Sequence, residues 1–106
     1  MKVFVSQPMN GRDEEEVITE RENYARKFIE NQGILMRTAD IVIDNYHKPH
    51  APKNASRLWY LSDSLKQMSE ADVVLFVPGW RKAKGCRVEM MCCKLYDIPY
   101  VKMKKI

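Results

Sequence analysis

Glu89 stands in the first turns of a segment, Cys86–Tyr96, whose spacing predicts a helix. It follows a loop, Pro78–Gly85, that carries two glycines, three basic residues and Trp80. The dipole at a helix start holds a carboxylate ionised, and an ionised carboxylate acts as a nucleophile or stabilises a developing cation. The competing reading is a surface glutamate. Val88, Met91, Cys92 and Leu95 form the apolar stripe, and steps of about 100° per residue put Glu89 on its border. The loop itself leads into free N–H groups that favour an anion such as phosphate or carboxylate. Arg81, Lys82 and Lys84 add positive charge there, and Trp80 offers a flat ring for stacking. The same composition also suits an ordinary solvated loop.

Cys86 shares the helix start, a setting that lowers a thiol pKa. No histidine adjoins it in sequence to act as its base, so it reads as a small core thiol. Asp63 lies opposite the stripe Leu58, Leu61 and Leu65, one turn after Trp59. It either faces solvent or, where that face borders a cleft or a neighbouring subunit, belongs to a site. His47 and His50 are three apart in a proline-containing loop with no clear third ligand, and no cysteines have the C-x-x-C spacing, so no metal is expected. Tyr46 and Trp59 join Trp80 as candidate stacking groups.

The elements that must position these residues alternate. Lys2–Ser6 is a β-branched and aromatic run stopped by Gln7–Gly11, a strand and then a turn-rich loop. Asp13, with Glu16 three residues on, opens a helix whose stripe is Val17, Tyr24, Ala25 and Phe28, with Ile18 and Ile29 at its edge. Asn31-Gln32-Gly33 ends it. Ile34–Met36 and Ile41–Ile43 suggest a second strand region, and Asp44–Asn54 a polar loop. A second helix is predicted over about Ala55–Glu70, with Leu58, Leu61, Leu65 and Met68 on one face. Asp72–Val77 reads as a strand covered on both sides, and Pro99–Lys102 as a last short one.

This alternation implies right-handed βαβ units, a parallel sheet of about four strands in the order 2-1-3-4, and helices on both faces. Ligands in such sheets bind beyond the carboxyl ends of the strands, where the chain direction reverses. The loops Gln7–Arg12 and Pro78–Gly85 meet at that point.

Composition bounds the function. The 106 residues suit one domain, 1–106, with 45% hydrophobic and 30% charged residues as in globular chains. The longest apolar run, Val73–Val77, is too short to span a bilayer. Met1–Val5 lacks the apolar stretch of a signal peptide. The three cysteines, Cys86, Cys92 and Cys93, are odd in number, and two are adjacent. A soluble, cytoplasmic protein in a reducing compartment is expected. The net charge of +4 permits an anionic ligand but is too mild for a nucleic-acid polymer.

Taken together, these residues resemble the nucleoside 2-deoxyribosyltransferase-like superfamily, in particular its small phage and bacterial members of unannotated function. Lys2-Val3-Phe4-Val5-Ser6-Gln7-Pro8-Met9-Asn10-Gly11 looks like the family's opening strand and Pro-Met-x-Gly loop. Ala71–Phe76 resembles the strand before the active loop. Gly79-Trp80, then Gly85-Cys86-Arg87-Val88-Glu89, resembles the G-C-x-x-E element. The resemblance implies a flavodoxin-like or Rossmann-like three-layer domain, a homo-oligomer and no cofactor, in a bacterial cell or a phage-infected host. It implies that Glu89 attacks the anomeric carbon of a 2-deoxyribonucleoside or its 5′-monophosphate, giving base exchange or hydrolysis, with Asp63 near the leaving base. Ser6, Gln7, Pro8, Met9 and Gly11 would hold sugar or phosphate, together with Gly79, Trp80, Lys84, Gly85 and Cys86. Catalytic relatives carry an acidic residue where this chain has Arg81-Lys82-Ala83-Lys84, and the basic loop suits a phosphorylated ligand. The alternative is a non-catalytic nucleotide-binding protein of the same fold, a sensor or a sequestering protein.

Overall fold

The computed structural model describes residues 1–31, 41–42 and 51–106. Three strands, β1 (Lys2–Ser6), β3 (Val73–Phe76) and β4 (Tyr100–Lys102), form a parallel sheet with β3 in the middle. Ile41–Val42, β2, pairs parallel with the far side of β1, Lys2 against Ile41 and Val3 against Val42. The β1–β3 register runs from Val3 opposite Val73 to Ser6 opposite Phe76, which brings Ser6 to the carboxyl end of the sheet. The expected segments Ile34–Met36, Tyr46, His47 and His50 lie outside the described residues.

Alternation along β1 and β3 builds two cores, because successive side chains point to opposite faces of a sheet. Val3, Val5, Val73, Leu75 and Val77 meet Tyr24, Ala25, Phe28 and Ile29 of helix α1 (Glu14–Asn31). Phe4, Val74 and Phe76 meet Met68 of α2 (Arg57–Met68) and Met90 and Cys93 of α3 (Lys84–Leu95) on the other face. β3 is buried along its whole length. A strand covered on both sides reads as a continuous apolar run, and this is why the sequence of β3 shows no alternation.

The helices keep close to their expected spans, with two shifts at the starts. Ser56 caps α2 by accepting from the Trp59 N–H at 3.1 Å. A 3-10 turn, Trp80–Lys82, precedes α3, whose first residue is Lys84 rather than Cys86.

The face that α3 buries is a correction. Cys86, Glu89, Met90 and Cys93 point inward, while Val88, Met91 and Leu95 expose 38, 56 and 68% of their surface. Cys92 is only half-buried. Two thiols, Met90 and a glutamate with a polar partner face the sheet, and the more apolar side of the helix is left outside. Leu58, expected in the α2 stripe, is likewise exposed, and Ser64 and Met68 take the buried positions.

Candidate functional site

The site forms where β1 ends against the start of α3. Ser6 is wholly buried and Glu89 is 5% exposed. The Ser6 hydroxyl donates to Glu89 Oε1 at 2.6 Å, across 83 residues of sequence. A charge-assisted bond this short fixes the carboxyl group in place. Burial pushes Glu89 up from 4.5 to about 7, with the Ser6 hydrogen bond pulling the other way. From the sequence, the helix N-terminus was expected to keep this group firmly ionised. Desolvation outweighs that effect, since the second turn of α3 faces the sheet and not water.

Cys86, one turn before Glu89, completes the cluster. Burial raises its thiol to about 12, Ser6 hydrogen bonding works against the rise, and the charge of Glu89 adds to it. Such a thiol stays protonated and is no nucleophile at neutral pH, as expected for a core cysteine. Cys93, one turn beyond Glu89, is raised to about 11, again mainly by burial.

Around this cluster lie the two expected loops. Gly11 and Gly79 adopt left-handed backbone, with φ of 73° and 94°, a conformation that costs glycine little. Gly79 leads into the 3-10 turn, where the Trp80 N–H donates to the Val77 carbonyl and the Ala83 N–H to that of Trp80. Trp80 packs its ring 5.4 Å from Phe76, and the Arg81 guanidinium lies 5.2 Å above the same ring. Ala83 gives α3 no side-chain cap. Lys84 begins the helix, exposed, and Gly85 follows with Leu61 of α2 in ordinary contact distance of where a Cβ would lie. Pro8 and Met9 are half-buried. Asp63 is half-buried in mid-α2 and accepts from Gln67 Nε2 at 3.0 Å.

Gln7, named by its loop alone, is 3% exposed and turned the other way from Ser6. It donates to the Val17 carbonyl at 3.1 Å and to Glu20 Oε1 at 2.9 Å. Sequence reasoning missed the rest of this network: Arg12, Glu20 and the buried Arg21. Signals were present. Arg21 falls four residues after Val17 and four before Ala25, squarely in the α1 stripe, and Arg12, Glu16 and Glu20 are spaced four apart.

A shallow groove of about 600 Å³ runs beside this network, lined by Arg12, Glu16, Glu20, Tyr24, Lys105 and Ile106 among others. Among the described residues, no helix is long and apolar enough to cross a membrane.

Residues 1–101 match the family model described as a domain of unknown function, DUF4406. The chain belongs to the DUF4406 family. The match takes in β1, the Ser6–Glu89 pair, the basic loop and two of the three residues of β4, so the cluster lies wholly inside the family domain. No curated protein and no solved structure matches the chain significantly.

Proposed function

We propose that this DUF4406 protein cleaves or exchanges the N-glycosidic bond of 2-deoxyribonucleosides or their 5′-monophosphates, with Glu89 as the nucleophile. The observation that carries this reading is the buried Ser6–Glu89 pair at the carboxyl end of a parallel sheet, where α/β folds bind ligands. It agrees with the likeness of the Pro-Met-x-Gly and G-C-x-x-E elements to the nucleoside 2-deoxyribosyltransferase-like superfamily. The four-strand 2-1-3-4 order and the flavodoxin-like fold belong to the same reading.

The chemistry balances in two steps. Ionised Glu89 attacks C1′ through an oxocarbenium-like transition state, and the glycosidic electron pair leaves with the base, which takes up a proton. Water or a second base then displaces the ester, restoring the carboxylate. Ser6, donating to Oε1, leaves Oε2 as the attacking oxygen. Asp63 serves the leaving base, and the Ser6–Gly11 loop holds the sugar. Arg81, Lys82 and Lys84 at the uncapped start of α3 attract a 5′-phosphate. A homo-oligomer is part of this reading, with the exposed apolar side of α3 as the surface open to a second copy.

A second reading, nucleotide binding without turnover, draws on the burial of Glu89 and on a loop with three cations and no carboxylate. Incubation with a panel of deoxynucleosides and their 5′-monophosphates, followed by chromatography for free base, separates the two. Base release that Glu89→Gln abolishes while ligand binding survives establishes the enzyme. Tight binding without product establishes the binding protein, and normal turnover by Glu89→Gln removes Glu89 from the mechanism.

A further inference from the structure

We propose that Glu20 is a positioning residue for the Ser6–Glu89 site, acting from α1 through Gln7 and Arg12. The inference rests on Glu89 as the working group of the site. Ser6 and Gln7 are consecutive, so the end of β1 is held on both faces of the sheet. Ser6 reaches α3 and Gln7 reaches α1.

One carboxylate gathers the α1 side. Glu20 Oε1 accepts from Gln7 Nε2 at 2.9 Å and from Arg12 Nη1 at 2.9 Å, and Oε2 accepts from Arg12 Nη2 at 3.1 Å. The Arg12 fork therefore closes on both oxygens, the strongest geometry such a pair adopts. Arg12 Nη1 also donates to the Pro8 carbonyl at 2.8 Å, and its backbone N–H donates to the Met9 carbonyl at 3.2 Å. Glu20 thus grips both ends of the loop 7–12, and the left-handed Gly11 lies inside the span that is held. Arg21 Nε donates to Gln7 Oε1 at 3.4 Å and fixes the amide orientation from the same helix. The Arg12–Glu16 pair is more exposed, with Glu16 at 60%, and a pair of that kind contributes little.

Removing the Glu20 carboxylate takes an acceptor from a buried amide and the bidentate partner from Arg12. Gln7 keeps its contacts to the Val17 carbonyl and Arg21 but loses its link through Glu20 to Arg12 and the loop. The end of β1 is then held less firmly, Ser6 shifts from Glu89, and water enters beside the carboxyl group. Among the described residues, the titratable and polar groups that interact with Glu89 are Ser6 from β1 and the thiols of Cys86 and Cys93 from α3. Both thiols stay neutral until far above neutral pH. The charge of Glu20 is itself felt at Cys86, which places α1's carboxylate within electrostatic reach of the cluster.

The test follows the Glu89 side-chain carboxyl carbon by NMR against pH, the signal being identified by its loss in Glu89→Gln. In Glu20→Ala the midpoint is expected to fall from about 7 toward 4.5, because burial is the larger cause of its rise. Glu20→Gln keeps an acceptor for Gln7 but not the Arg12 fork and is expected between the two. Ile29→Ala, a core change near the carboxyl end of α1 on the other face of the sheet from α3, is expected to lower Tm without moving the midpoint. Glu20→Ala with a lowered Tm and an unmoved midpoint overturns the proposal, since Glu20 would then serve only the fold. In the wild type's base-release reaction, Glu20→Ala is expected to cost about 10- to 100-fold in kcat, the scale that a misplacement of about 1 Å can reach. Wild-type protein without any base release fails the glycosidic reading, while the NMR midpoint still decides, independently of turnover, whether Glu20 positions the Ser6–Glu89 pair.

Discussion

Glu89→Gln should change how stability depends on pH, whatever it does to activity. In the folded protein Glu89 binds its proton up to about pH 7, whereas an exposed glutamate releases it near 4.5. The folded state therefore holds the proton more tightly than the unfolded chain. Its contribution is complete below pH 4.5 and is lost as the pH rises through about 7. At about 1.4 kcal/mol per unit, wild-type protein loses roughly 3 kcal/mol from this group between pH 4.5 and 8, an upper figure for a group this deeply buried. Glutamine cannot ionise, so the variant lacks this loss. Any constant effect of the amide beside Ser6 is the same at both pH values and cancels from the comparison. Urea unfolding of both proteins at about pH 4.5, 6, 7 and 8 reads the difference directly. Relative to wild type, Glu89→Gln is expected to gain about 3 kcal/mol across that range, about 13 °C in Tm for a domain of this size. Stability curves that run parallel for the two proteins would refute the buried, protonatable Glu89.

Three further outcomes follow from the same geometry. Ser6→Ala removes the donor that holds the ionised form of Glu89, so the Glu89 midpoint, raised to about 7 in wild type, should move up by about one to two units in an NMR titration, and on the proposed mechanism the rising limb of kcat/KM against pH should move with it; an unmoved midpoint rules out the Ser6 bond as a tuning contact. Gly79→Ala places a Cβ at φ 94° with nothing within 4 Å, so backbone strain alone should cost about 1–2 kcal/mol in urea unfolding. Met68→Ala empties a position that is 2% exposed among Phe4, Val74, Phe76 and Met90 and should cost about 2–5 kcal/mol, read as a shift in the denaturation midpoint.

Much of the fold was legible because single elements carry unambiguous patterns. The span of α1, its stripe from Val17 to Phe28, and the covered strand Val73–Phe76 were each readable from local sequence. The parallel pairing of β1 with β3 followed from alternation of strands and helices. The buried face of α3 was not readable, because its outer side carries Val88, Met91 and Leu95 and its inner side two cysteines, a methionine and a glutamate. Hydropathy favours the wrong side when a carboxylate has a partner 83 residues away. Glu89 was found for its place after the basic loop, and its hydrogen-bond donor Ser6 emerged only through the family likeness. The Gln7–Glu20–Arg12 network was missed for a related reason. A buried arginine and a polar side chain at the end of a strand look like surface residues until the tertiary contacts that satisfy them are known.

The most direct test of Glu89 as nucleophile is a rapid acid quench of wild-type protein turning over a deoxynucleoside 5′-monophosphate, followed by intact-mass and peptide analysis. A deoxyribosyl-phosphate adduct on the peptide carrying Glu89, absent from Glu89→Gln, is the expected result. Base released at an undiminished rate by Glu89→Gln, or an adduct on any other residue, would contradict the mechanism.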